Sequence, residues 1–163
     1  MDNVMVHIDR SGKHLVNLID FGLCRPTGKR WGDVYGGAKP FAKGHVQHPP
    51  ELWTGSVHLE AASRRVPWQE MRINASHDVW SAGAIFFQLL NGDIKQLETT
   101  MVARIEASAG GTAGARQALE QACAGFKEAD AALLKACLEP DPSRRASAAE
   151  ILTRLQNLRE GEK

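Results

Sequence analysis

The sequence predicts an α+β fold, mainly α-helical, with an N-terminal β-hairpin. Two short β-branched runs joined by turn-forming residues come first, and five helix-like segments follow with no later strand signal. The first run is Val4 to Ile8 and the second Leu15 to Ile19, separated by Asp9-Arg10-Ser11-Gly12-Lys13, whose Asp and Gly suit a hairpin turn. From Leu23 to about Lys43 the chain is rich in Gly, Lys and Arg without sustained periodicity, which reads as an extended loop. His77-Asp78 then leads into Val79 to Leu90, apolar nearly all round and expected to be buried, with Asn91-Gly92 as its stop. Further helices are expected at about Leu97 to Ala107, Ala115 to Ala124 and Glu128 to Leu138. Gly110-Gly111 and Gly114 should break the first from the second, and Pro140 and Pro142 should end the third. Ser147 with Glu150 three residues on forms a capping box for a final helix through Leu158, and 159–163 reads as a polar tail.

With 163 residues, 43% of them hydrophobic and 24% charged, the chain has the composition of one globular domain with one core. A net charge of +1 gives no general attraction to nucleic acid or to acidic membranes, so neither is expected as a partner. The locally basic Lys39, Lys43, Arg64 and Arg65 read as a solvated face. Cys24, Cys123 and Cys137 are odd in number and lack Cys-x-x-Cys spacing, which suggests neither a disulfide framework nor a zinc knuckle and fits a reducing, intracellular, cytoplasmic setting. Polar Asp2 and Asn3 follow Met1, and no apolar run approaches the roughly 18 residues of a membrane span, so neither signal peptide nor anchor is expected. His45, His48 and His58 match no compact metal-ligand spacing.

Five landmarks stand in order along the chain. They are Asp2-Asn3, Asp20-Phe21-Gly22 after an apolar strand, Pro49-Pro50-Glu51, Asp78-Val79-Trp80-Ser81-Ala82-Gly83 and Asp141-Pro142-Ser143-Arg144-Arg145. Taken singly, Asp20 is an aspartate ending a strand at a turn, Asn3 a terminal polar residue and Asp78 a helix N-cap. As an ordered set they resemble the C-terminal, helical lobe of the eukaryotic-type protein kinase superfamily. The resemblance runs from Asp2 to about Leu152 and makes 1–158 a partial kinase domain.

That resemblance implies ATP- and Mg²⁺-dependent phosphoryl transfer to protein Ser/Thr in a complete enzyme, a chemistry that rests on positioning and charge neutralisation. Asp20 and Asn3 would ligate Mg²⁺, the hard ion that prefers oxygen donors. Phe21 would pack under the nucleotide lobe, and Gly22 would supply the backbone freedom for switching. Glu51 and Arg145 would form a buried ion pair, costing on the order of 3–5 kcal/mol if either partner alone were removed. Asp78 would accept hydrogen bonds from the catalytic-loop backbone. Trp80, Phe86, Phe87, Leu89 and Leu90 would be core.

The chain departs from the family pattern in several places. It contains no His-Arg-Asp, whose aspartate is the family's general base and would stand before Met1, so no catalytic base is assigned. The Gly-rich loop, the Val-Ala-Ile-Lys lysine and its glutamate partner are also missing. Pro49 replaces the usual alanine, and only Thr27 and Tyr35 could be phosphorylated between Asp20-Phe21-Gly22 and Pro49. The stretch from Glu51 to Asp78 is longer than usual, with Trp53, His58, Arg64, Arg65 and Trp68 in the extra length. Two readings follow. One is a kinase, that is a transferase, whose isolated helical half is inactive. The other is a pseudokinase-like interaction module that binds a partner kinase or a protein substrate.

Overall fold

A computed structural model of the chain describes residues 4–22, 24–36, 48–54, 67–102 and 112–161. The described chain is α+β and mainly helical, opening with a two-stranded antiparallel hairpin. Strand β1 (Val4–Ile8) pairs with β2 (His14–Leu18) in the register Val4 opposite Leu18 through Ile8 opposite His14. The second strand therefore starts and stops one residue earlier than the apolar run. Its start is set by the turn: the Asp9 carboxylate accepts from the Ser11 amide (2.8 Å), the Ser11 hydroxyl (2.6 Å) and the Lys13 amide (3.0 Å). Gly12 supplies the left-handed residue at φ 83°. Asp9 N–H closes the loop onto the Lys13 carbonyl at 2.9 Å.

A short helix, α1 (Trp31–Tyr35), lies in the stretch read as loop. No local signal makes five residues helical, and tertiary bonds hold them. Arg30 bridges to Arg72, the Trp31 amide donates to the Met71 carbonyl (2.9 Å), Gly28 N–H to Ile73 (2.8 Å) and Ile73 N–H to Lys29 (2.8 Å). Gly32 sits so close to the 3₁₀ turn Trp68–Glu70 that a Cβ there would come within 2.9 Å of the Gln69 backbone oxygen. Helix α2 (Pro50–Thr54) follows, with Pro49, Pro50, Glu51 and Leu52 all buried.

The central helix α3 runs Ala75–Asn91, four residues longer at its start than the apolar run. Its N-cap is Asn74, extended at φ −134°, whose side-chain oxygen accepts from the Ser76 amide at 3.0 Å. Asp78 is thus not the cap; it lies in the first turn and is exposed. Gly92 ends the helix in the left-handed conformation, its N–H donating to Gln88. Only one face of α3 is buried: Val79, Trp80, Gly83, Ala84 and Phe87 recur at helical spacing, whereas Leu89 is 67% exposed and Leu90 39%. The expectation of core positions for Leu89 and Leu90 is corrected. Leu89 lies half a turn round α3 from Trp80, away from the buried side, whereas Leu90 shares the side of Gly83 but stands in the last turn of the helix, and Phe86 is only partly buried against the core.

Beyond it, α4 (Lys95–Leu97) runs on into a π turn, Glu98–Val102. Helix α5 (Thr112–Cys123) includes Gly114 inside it rather than before it. Helix α6 (Glu128–Cys137) and helix α7 (Ala148–Gly161) complete the fold, so the first residues of the expected tail continue the last helix. Ser147 and Glu150 form the capping box: the carboxylate accepts from the Ser147 amide (2.7 Å) and hydroxyl (2.8 Å), and Glu150 N–H returns to the hydroxyl (3.3 Å).

One core joins α3 to α4, α5 and α6 through Trp80, Ala84, Phe87, Leu97, Met101, Leu119, Leu134 and Leu138. Phe87 meets Phe126 edge-on at 5.6 Å. Among the described residues no helix is long and apolar enough to cross a membrane.

The closest helix contact gives a test. At Gly83 a Cβ would lie 2.6 Å from Cys137 Cβ and 3.0 Å from Leu138 Cγ. We expect Gly83→Ala to cost about 1–3 kcal/mol in urea unfolding, because α3 and α6 must separate to admit it. Unchanged stability would mean that the two helices are not packed this closely. Asn74→Ala should cost about 1 kcal/mol through the lost cap, read in the same titration.

Candidate functional site

Helices α2 and α3 and the segment before α7 meet at Arg145. Its guanidinium binds the Glu51 carboxylate with two parallel hydrogen bonds, Nη1 to Oε1 at 2.9 Å and Nη2 to Oε2 at 3.0 Å. The Arg145 side chain is 0% exposed and that of Glu51 4%. Nη1 also donates to the Ser76 carbonyl (3.0 Å), and Nε to that of Glu139 (2.9 Å). The flat face of the guanidinium lies 4.9 Å from the ring centre of buried Trp80. Burying two charges is costly, and this geometry offsets the cost by occupying the planar fork and both carboxylate oxygens.

Local chemistry aims Arg145. The Asp141 carboxylate accepts from the Ser143 amide (2.9 Å) and hydroxyl (2.6 Å), while its carbonyl accepts from Arg144 N–H and Arg145 N–H. Asp141 is itself 4% exposed, so this turn is built into the interior. Beside it Glu139 takes a bidentate bond from Arg116 on α5, at 2.7 Å to Oε1.

Asp20 follows β2 in the left-handed region at φ 60°, where it is alone among the described non-glycine residues. Its Oδ1 accepts from the Gly22 amide at 3.2 Å, a local bond of the kind that makes this conformation tolerable for Asp. The positive φ therefore belongs to Asp20 and not to Gly22, where backbone freedom was expected. Phe21 is 63% exposed, so nothing in the described chain covers the ring that was expected to pack. Asn3 lies outside the described residues, as do Lys39, Lys43, His45, His58, Arg64 and Arg65.

Asp20 borders a cavity of about 470 Å³ whose walls include Arg25, Trp31, His48, His77 and Asp78. Asp78 is exposed and accepts no hydrogen bond from the described residues. A stack of side chains lines one wall. Arg25 donates to the Gly22 and Cys24 carbonyls (2.9 and 2.8 Å) and lies 5.6 Å from the Tyr35 ring centre. Tyr35 stacks on Trp31 at 5.3 Å, and Trp31 on His77 at 5.9 Å. His77 Nε2 then stands 3.8 Å from Glu51 Oε1. The loop carrying Asp20 is thereby linked, contact by contact, to the buried ion pair. Sequence reasoning assigned no role to Arg25, Trp31 or His77 and considered Tyr35 only for phosphorylation. The four-residue spacing of the two aromatics on a short helix was the available signal.

Burial holds the His77 imidazole below its ordinary value; Glu51 opposes that shift, Arg145 reinforces it and Asp78 opposes it. Burial also raises the thiols of Cys123 and Cys137 to about 11, which makes them inert, and all three cysteines are unpaired with only Cys24 exposed.

A magnesium ion bound through nucleotide phosphates needs only one or two protein carboxylates. Asp20 fits such a role: one of its oxygens accepts no hydrogen bond from the described residues, and it faces an open cavity. Among the described residues no group of three or more His, Cys, Asp or Glu side chains forms a self-sufficient metal cage.

The His77 environment sets a pH dependence. Its pKa is depressed in the folded chain, so the unfolded chain binds the proton at higher pH. Stability is then full above the unfolded value of 6.5 and falls as pH drops below it. We expect the urea midpoint to decline between pH 7.5 and 5.5, and the decline to be smaller in His77→Phe. Identical slopes for both proteins would contradict this assignment.

No protein-family model matches the chain, and neither a curated protein nor a solved structure matches it significantly.

Proposed function

We propose that this chain is the helical half of a protein-kinase-like phosphotransferase domain, with its cavity beside Asp20 as the nucleotide–metal end. The observation that carries the reading is the Glu51–Arg145 pair, joined across 94 positions of sequence and buried. It ties the segment holding Pro49-Pro50-Glu51 to the helical body, as the motif order leads one to expect of such a lobe. The left-handed Asp20 adds support, since strained polar residues at a cavity mouth cluster at ligand sites.

In this role Asp20 would hold Mg²⁺ against the β- and γ-phosphates of ATP, with Asn3 as a second oxygen donor, and the ion would neutralise charge developing on the transferred phosphoryl group. The buried ion pair would fix the floor on which a peptide substrate's Ser or Thr is presented. Proton removal from that hydroxyl has no assigned residue here, since the chain contains no His-Arg-Asp, and the chain by itself is expected to give no turnover.

A second reading, a pseudokinase-like module that binds a partner kinase or substrate, is favoured by one specific observation. The hairpin exposes Val6 (59%), Ile8 (62%), Val16 (63%) and Leu18 (64%) on one side. An aliphatic face of this kind is characteristic of an interaction surface.

The two readings separate in an NMR titration with ATP and MgCl₂ up to millimolar concentrations. Weak, Mg²⁺-dependent shifts of the Phe21 and Gly22 amides, lost in Asp20→Ala, are the outcome expected for the phosphotransferase reading. Absence of any shift in the unmodified chain, or equal shifts in Asp20→Ala, would remove the nucleotide site and leave the interaction module.

A further inference from the structure

His77 occupies an uncommon position for a histidine. It is the third residue of α3, at the positive end of the helix, with its side chain 12% exposed. Its Nδ1 is buried without a hydrogen-bond partner among the described residues. Its ring face is stacked on Trp31, and its Nε2 faces a carboxylate already held by two bonds from Arg145. A proton arriving at Nδ1 would therefore be buried with no acceptor, and one at Nε2 would compete with Arg145 for Glu51.

We propose that His77 is a proton-operated latch: protonation of its imidazole loosens the Trp31 stack and opens the cavity beside Asp20. The charged and titratable groups around the imidazole are Glu51 on α2, Arg145 before α7 and Asp78 on α3 itself, while Asp20, Arg25 and His48 border the same cavity. Glu51 and Asp78 attract a proton to His77, but burial and Arg145 oppose it more strongly. Acid thus favours whichever arrangement lets water reach the ring. Trp31 is what must move to admit that water, because it covers the imidazole face and leads through Tyr35 and Arg25 to the Gly22 carbonyl. The neutral imidazole closes the latch near pH 7 and the imidazolium releases it in mild acid. The latch needs no nucleotide, so it stands or falls independently of the phosphotransferase reading.

The test is native-state amide exchange on the full chain, with the His77 Hε1 resonance titrated in the same samples from pH 7.5 to 5. After correction for intrinsic exchange, protection of the Gly28 and Trp31 amides, bonded to Ile73 and Met71, should fall several-fold with the midpoint of the His77 titration. Amides of α6 should hold their protection. His77→Phe keeps an aromatic stack without a titratable group and should show flat protection, while His48→Gln should leave the midpoint in place. Unchanged protection through the His77 titration, or the same loss in His77→Phe, would overturn the latch. So would a midpoint that disappears in His48→Gln. Should His77→Phe fail to fold, coincidence of the two midpoints in the unmodified chain decides: agreement supports the latch and separation overturns it.

Discussion

The buried pairing of Glu51 with Arg145 is the constraint on which the rest of the structure depends. Neither charge tolerates the interior alone, so burial of Pro49 to Leu52 is possible only if Arg145 reaches Glu51. Arg145 in turn reaches it only because the Asp141 turn aims it and Trp80 floors it. The guanidinium also donates to the Ser76 carbonyl in the first turn of α3. One side chain thus sets the relative placement of a short helix, the central helix and the last helix's entry. The hydrophobic core of α3 to α6 supplies the driving force, while the ion pair selects which segment docks on it.

From this pair the consequences spread toward the cavity. His77, next to Glu51, carries Trp31, which carries Tyr35 and Arg25, and Arg25 grips the carbonyls around Gly22. The position of the loop after Asp20 is therefore set by contacts that begin at an interior ion pair. Each link is individually weak, on the order of 1 kcal/mol or less, which is what a segment that opens and closes requires. The hairpin stands differently. Its turn is tightly bonded through Asp9, but its aliphatic residues remain exposed, and a lone two-stranded sheet is marginal in water.

Much of the fold was legible from local chemistry. The hairpin followed from β-branched runs around an Asp-Gly turn, and the last helix from the Ser147–Glu150 box, both of which are closed within a few residues of sequence. What escaped was fixed by distant partners. Helix α1 hides in a glycine-rich stretch because its stability comes from bridging to residues 71–73. The cap at Asn74 is not marked by the apolar run, which begins five residues after it, and that same continuous run conceals which side of α3 is buried. In the candidate site, motif order pointed to Asp20, Glu51, Asp78 and Arg145. No pattern along the chain could reveal that Asp20 is left-handed, that Phe21 is exposed, or that four side chains stack from Arg25 to His77.

The most direct measurement is a double-mutant cycle at the pair, with Glu51→Leu, Arg145→Met and both together compared in urea unfolding. The predicted result is a large loss for each single change, on the order of 3–5 kcal/mol, and a double variant clearly more stable than the sum of the two losses implies, because neither charge is left stranded. Additive losses, or single losses below about 1 kcal/mol of the kind seen for exposed pairs, would contradict the claim that this ion pair organises the fold.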